Sequence, residues 1–172
     1  NDGSRIFILT NNSTPGSLSL GIQSYTITGS STKRVKIQDL NIDGRPEIII
    51  TDQRQPKVHV LRNTSTGAVS FNTTPLTLDV PGANTTAGLE VIDVNLDKWP
   101  DIMVTQFLTD NGGYFIATNA TSSGSFNFAG FRPYSATGAL FNIVASDFNN
   151  DRRPDFAGTL FTNGAVSGFG NT

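Results

Sequence analysis

A nine-residue pattern occurs three times at a fixed interval of 54 residues: Asp39-Leu-Asn41-Ile-Asp43-Gly-Arg-Pro46-Glu47, Asp93-Val-Asn95-Leu-Asp97-Lys-Trp-Pro100-Asp101 and Asp147-Phe-Asn149-Asn-Asp151-Arg-Arg-Pro154-Asp155. A fixed period constrains folding strongly, because a recurring supersecondary unit cannot bury its apolar face alone and must stack on its copies. The register extends past the pattern. An apolar run follows each loop (Ile48-Ile49-Ile50, Ile102-Met103-Val104, Phe156-Ala157-Gly158) and ends in Thr51, Thr105 or Thr159. Upstream, the pairs Val35/Ile37, Leu89/Val91 and Ile143/Ala145 alternate into the loop. Each unit thus reads strand, loop, strand.

A third strand is predicted at Lys57-Val-His-Val-Leu61 and at Tyr114-Phe-Ile116, and a fourth near Leu76–Val80 and near Phe126–Phe128. Four short strands in about 50 residues is the signature of a β-propeller blade. The expected fold class is therefore all-β, built of four-stranded antiparallel blades. Arg5–Asn11 reads like Lys57–Asn63, and Ala165–Asn171 like another third strand. The reading places the outer strands of a partial blade at 1–32, blades at 33–86 and 87–140, and the inner strands of a partial blade at 141–172. About three blade-equivalents fall short of the four to eight that close a propeller. The expectation is a segment of a larger ring, with Ile6, Ile8, Val166 and Phe169 near junctions. Remaining blades of a parent chain, or a second copy, would complete it.

Composition agrees with many strands and turns: Gly 17 and Pro 8 in 172 residues, 37% hydrophobic and 15% charged. A net charge of −2 without a block of like charge gives no footprint for nucleic acid. No 18-residue apolar stretch occurs, so direct membrane insertion is not expected. Without cysteine there are no disulfides and no thiolate chemistry.

Nine of the fourteen acidic residues lie in the three loops. Carboxylates about 4 Å apart repel by roughly 4 kcal/mol per pair at an effective dielectric near 20, so a divalent ion among them would stabilise the loop. Oxygens from positions 1, 3, 5 and 9, with a carbonyl at position 7, suit hard Ca²⁺ better than Zn²⁺, copper or Mg²⁺. An EF-hand would need a Glu at position 12, where this chain has Ile50, Val104 and Gly158 inside strands. Asp/Asn-rich surface turns that bind nothing are the bland alternative. Position 6 is Gly44, then Lys98 and Arg152, so a tight turn there is expected to be strained in two loops.

These loops resemble the calcium loops of the FG-GAP and VCBS repeat families, which include the integrin-α propeller. The resemblance implies a calcium-binding propeller, usually seven-bladed, with the loop between the first and second strands of each blade. Carried over residue by residue, it implies three structural Ca²⁺ ions. Asp39, Asn41, Asp43 and Glu47 would hold the first, with the carbonyl of Arg45. Asp93, Asn95, Asp97, Asp101 and the Trp99 carbonyl would hold the second, and Asp147, Asn149, Asp151, Asp155 and the Arg153 carbonyl the third. Glu47 in place of Asp and the lack of formed Phe-Gly/Gly-Ala-Pro signatures favour the VCBS-like branch.

No catalytic constellation stands out. His59 is the single histidine and reads as a strand-face residue, while Asp52 and Glu90 read as solvated. Trp99, Tyr114 and Tyr134 read as inter-blade core before they read as a sugar platform. Asn11, Asn12, Asn63, Asn72, Asn84 and Asn119 head Asn-x-Ser/Thr sequons, a hint of a glycosylated surface. The expected function is a non-enzymatic, secreted or cell-surface scaffold for adhesion or protein recognition. A carbohydrate-binding propeller and a propeller attached to a secreted enzyme are the alternatives.

Overall fold

The structure is a computed structural model. It describes residues 4–28, 30–106, 113–122, 125–136 and 139–160, and the backbone of strand Val166–Phe169. The Val166 and Phe169 side chains and Asn171 lie outside the described residues.

Thirteen strands and no helix are found among the described residues. They are β1 (Ser4–Asn11), β2 (Leu20–Ile27), β3 (Thr32–Gln38), β4 (Glu47–Asp52), β5 (Lys57–Leu61), β6 (Leu76–Asp79), β7 (Leu89–Ile92), β8 (Asp101–Thr105), β9 (Gly113–Ala117), β10 (Arg132–Ser135), β11 (Leu140–Ser146), β12 (Asp155–Leu160) and β13 (Val166–Phe169). Every sheet is an antiparallel meander of consecutive strands. The two-stranded β1-β2 is followed by the four-stranded β3-β4-β5-β6 and β7-β8-β9-β10, then the three-stranded β11-β12-β13. The chain is thus all-β with two complete propeller-like blades.

Strand alternation explains how the sheets stack. In β4, Ile49 faces forward into a core shared with the next blade, where Leu40, Val58 and Val60 meet Leu89, Val91, Ile102, Val104 and Phe115. Its neighbours Ile48 and Ile50 face backward, where with Leu61 and Ile27 they pack Ile6 and Ile8 of β1. The second blade repeats this. Met103 and Ile116 face forward onto Ile143 and Phe156 of the β11-β12-β13 sheet. Because both faces of β4 and β8 are covered, these strands are apolar without polar alternation. Each fully buried Leu, Ile or Val contributes about 2 kcal/mol.

One strand differs from its expected place. The fourth strand of the second blade is β10, and Phe126 and Phe128 instead lie in the loop before it, packed on the core. Phe128 forms only an isolated bridge with Asn119. Aromatic spacing mimicked a strand there, whereas β10 carries exposed residues and Pro133, tolerated at a sheet edge.

Candidate metal centre

All three acidic loops join the first and second strands of a sheet, β3–β4, β7–β8 and β11–β12. Each is built by the same hydrogen bonds. The Asp at position 1 accepts the N–H of position 5 on one oxygen, at 3.2, 3.1 and 3.2 Å for Asp39, Asp93 and Asp147. Its other oxygen accepts the N–H of position 6, at 2.7 Å from Gly44, Lys98 and Arg152 alike. Asn41, Asn95 and Asn149 accept from the N–H of position 5 and donate through Nδ2 to the position-5 carboxylate. Asp43, Asp97 and Asp151 accept the N–H of position 7. Asp and Asn are needed because only a side chain this short can reach backbone N–H groups two to five residues on.

The curl demands left-handed backbone at two positions. Position 6 has φ of 82° at Gly44, 80° at Lys98 and 70° at Arg152. Position 4, which the sequence reading did not single out, has 54° at Ile42, 65° at Leu96 and 63° at Asn150. Each non-glycine residue held so costs about 1–2 kcal/mol. All five such residues in the described chain belong to these loops.

The last acid of the loop plays a different part. Glu47, Asp101 and Asp155 are buried, and each accepts the N–H of position 2, from Leu40, Val94 and Phe148. In the two complete blades a second oxygen accepts the N–H of an Asn at the end of the third strand, Asn63 or Asn119. That Asn also donates Nδ2 to the position-8 carbonyl, Pro46 or Pro100, and accepts the N–H two residues on. Asn119 donates further to the carbonyl of Leu40 in the neighbouring blade. Asn63 and Asn119 are therefore latches across the loop. Both are buried, which removes two of the six sequons from the surface. Their shared place at the end of the third strand was the signal, masked by the sequon reading.

Burial pushes the Glu47 and Asp101 carboxyls up from their ordinary range, and the neighbouring loop acids add to it. In the first loop the Arg45 guanidinium, 3.0 Å from Asp43, holds that carboxyl down. Position 7 there brings its own cation, while among the described residues no three His, Cys, Asp or Glu side chains gather as a metal cluster. The donor chemistry nevertheless fits a hard cation: positions 1 and 5 present carboxylate oxygens and position 3 an amide oxygen, and a carboxylate oxygen that takes one N–H keeps a lone-pair site.

Outside the loops, Asp52 and Glu90 are buried rather than solvated. Asp52 Oδ1 caps a turn, accepting the N–H of Ser31, Arg54 and Gln55. Glu90 pairs with Lys36 of the preceding blade at 2.8 Å. His59 is buried too, its Nδ1 3.1 Å from Thr77 Oγ1 and its Nε2 3.6 Å from Asp52 Oδ2. Tyr114 and Tyr134 stack at 5.2 Å, with Tyr134 exposed, and Trp99 is half-buried.

Residues 39–104 match the FG-GAP-like repeat family, a span that takes in the first two loops and the strands between them. No curated protein matches the chain. Residues 39–104 thus resemble an FG-GAP-like repeat, and they lie within the two propeller-like four-stranded sheets.

Proposed function

We propose that the chain is a calcium-stabilised scaffold for protein recognition outside the cell, with no catalytic role of its own. The observation that carries this reading is the identity of the three loops. Five non-glycine residues take left-handed backbone so that Asp, Asn and Asp oxygens turn into the same small loop in three successive sheets. Calcium would be held by Asp39, Asn41, Asp43 and Glu47 and by their counterparts, with the carbonyls of Arg45, Trp99 and Arg153. It would supply the positive charge that the clustered carboxylates lack. Sites of millimolar to sub-millimolar strength fill outside cells, which favours secretion or surface display.

Melting in millimolar calcium against EDTA tests the reading. A cation that binds only the folded state raises stability by about 2.7 kcal/mol at 100 times Kd. Equal midpoints, with no heat of binding on titration, overturn it. A glycan is the second ligand class, favoured by the exposed Tyr134 stacked on Tyr114. Binding on a glycan array that Tyr134→Ala abolishes would establish it in place of a protein ligand.

A further inference from the structure

The three acidic loops share one set of backbone bonds, yet position 7 sets the first apart. Asp43 Oδ1 accepts the N–H of Arg45, as Asp97 and Asp151 accept the N–H of Trp99 and Arg153. The other carboxylate oxygen differs. Asp43 Oδ2 accepts from Asn41 Nδ2 at 3.1 Å and also from Arg45 Nη2 at 3.0 Å. Among the described residues, Asp97 Oδ2 and Asp151 Oδ2 accept only from Asn95 and Asn149. A carboxylate oxygen offers about two lone-pair sites. Both sites of Asp43 Oδ2 are therefore taken, while its counterparts in the second and third loops each keep one.

The Arg45 guanidinium is also held from behind. Its Nη1 donates to the Ser65 carbonyl at 3.4 Å, and Ser65 is set by the latch, since its own N–H donates to Asn63 Oδ1. Arg45 thus ties the loop to the turn after β5 through a forked cation, a contact that the single neutral N–H of the Trp99 indole cannot reproduce. In the third loop Arg153 carries the same charge, but among the described residues no ion pair joins it to Asp151. The Arg45 and Asp43 side chains are 41% and 22% exposed. A pair so open to water is weak, so a divalent cation can displace the guanidinium.

We infer, on the calcium reading proposed for these loops, that Arg45 is the resident cation of the first loop. Calcium fills the second loop before the first, and enters the first only by displacing the guanidinium. When calcium is scarce the first loop stays closed on its own charge, and the second is the one that responds.

Arg45→Gln, a change at a half-exposed side chain that should keep β circular dichroism, tests this beside the wild-type chain. In EDTA the variant should melt at a lower temperature, because the first-loop carboxylates lose their counter-charge. Millimolar calcium should then raise its midpoint by more than it raises that of the wild type. In calorimetric titration the weaker calcium affinity should tighten by about fivefold, the worth of an exposed ion pair. Trp99 is the single tryptophan and lies in the second loop, so terbium(III), a calcium surrogate, excited through it reads that loop. The terbium titration should be the same in both proteins. A calcium gain in the variant no larger than in the wild type, with terbium still binding at Trp99, overturns the inference and leaves the calcium reading standing. A terbium affinity that shifts with the variant as far as the first loop's calcium affinity does the same. No calcium gain and no terbium signal in either protein overturn both.

Discussion

At the scale of single residues, burial decides more than residue type does. Asn119 and Asn63 make similar bonds, but the Asn119 amide also holds the Leu40 carbonyl of the adjacent blade. Removing a partner of a buried carbonyl costs about 1–3 kcal/mol. Asn119→Ala should therefore destabilise by about 3 kcal/mol and Asn63→Ala by about 1 kcal/mol, read from denaturant midpoints. His59 gives a pH dependence. Burial outweighs the pull of Asp52 and holds its pKa below 6.5. The folded state thus resists a proton that the unfolded chain accepts. Its contribution is intact above pH 6.5 and is lost as the pH falls below it. His59→Gln should flatten the fall in melting temperature between about pH 7 and pH 5.5, a window set by the ordinary histidine value. An unchanged slope would place that fall on other groups.

At the scale of elements, period and alternation made the strands and loops legible. Ile48–Ile50 and Ile102–Val104 read as strands because both faces of each are covered by neighbouring sheets. β10 was not legible, because an exposed edge strand carries no apolar alternation, and Phe126/Phe128 offered a false one. The burial of Asp52 and Glu90 was hidden for a related reason: their partners, a turn's N–H groups and Lys36, are set by tertiary placement. The position-6 strain was legible from Lys98 and Arg152 standing where Gly44 stands. That at position 4 was not, since Ile42 is a residue type that avoids left-handed backbone. A reciprocal exchange measures the strain. Gly44→Ala meets no atom within 4 Å, so its cost is backbone alone, about 1 kcal/mol. Lys98→Gly should return a similar amount, less the chain entropy of glycine. Melting curves of both variants in EDTA would check the pair.

At the scale of the whole molecule, every sheet is assembled from consecutive strands. Strand pairing therefore closes only short stretches of chain, so each sheet can form with little loop-closure entropy and stacking follows as a later step. Opening should run in the reverse order. The middle strands of the two four-stranded sheets are covered on both sides, while β1 and β11-β12 pack on a neighbouring sheet through one face. Amide hydrogen exchange should then show a gradient along the chain, with β4, β5, β8 and β9 exchanging slowest and β2 far faster. Uniform protection would mean that the sheets open as one unit. A gradient of this kind gives the chain a preferred direction of unravelling: tension on either end would peel away the outlying sheets one at a time and leave the middle pair as the last structured remnant.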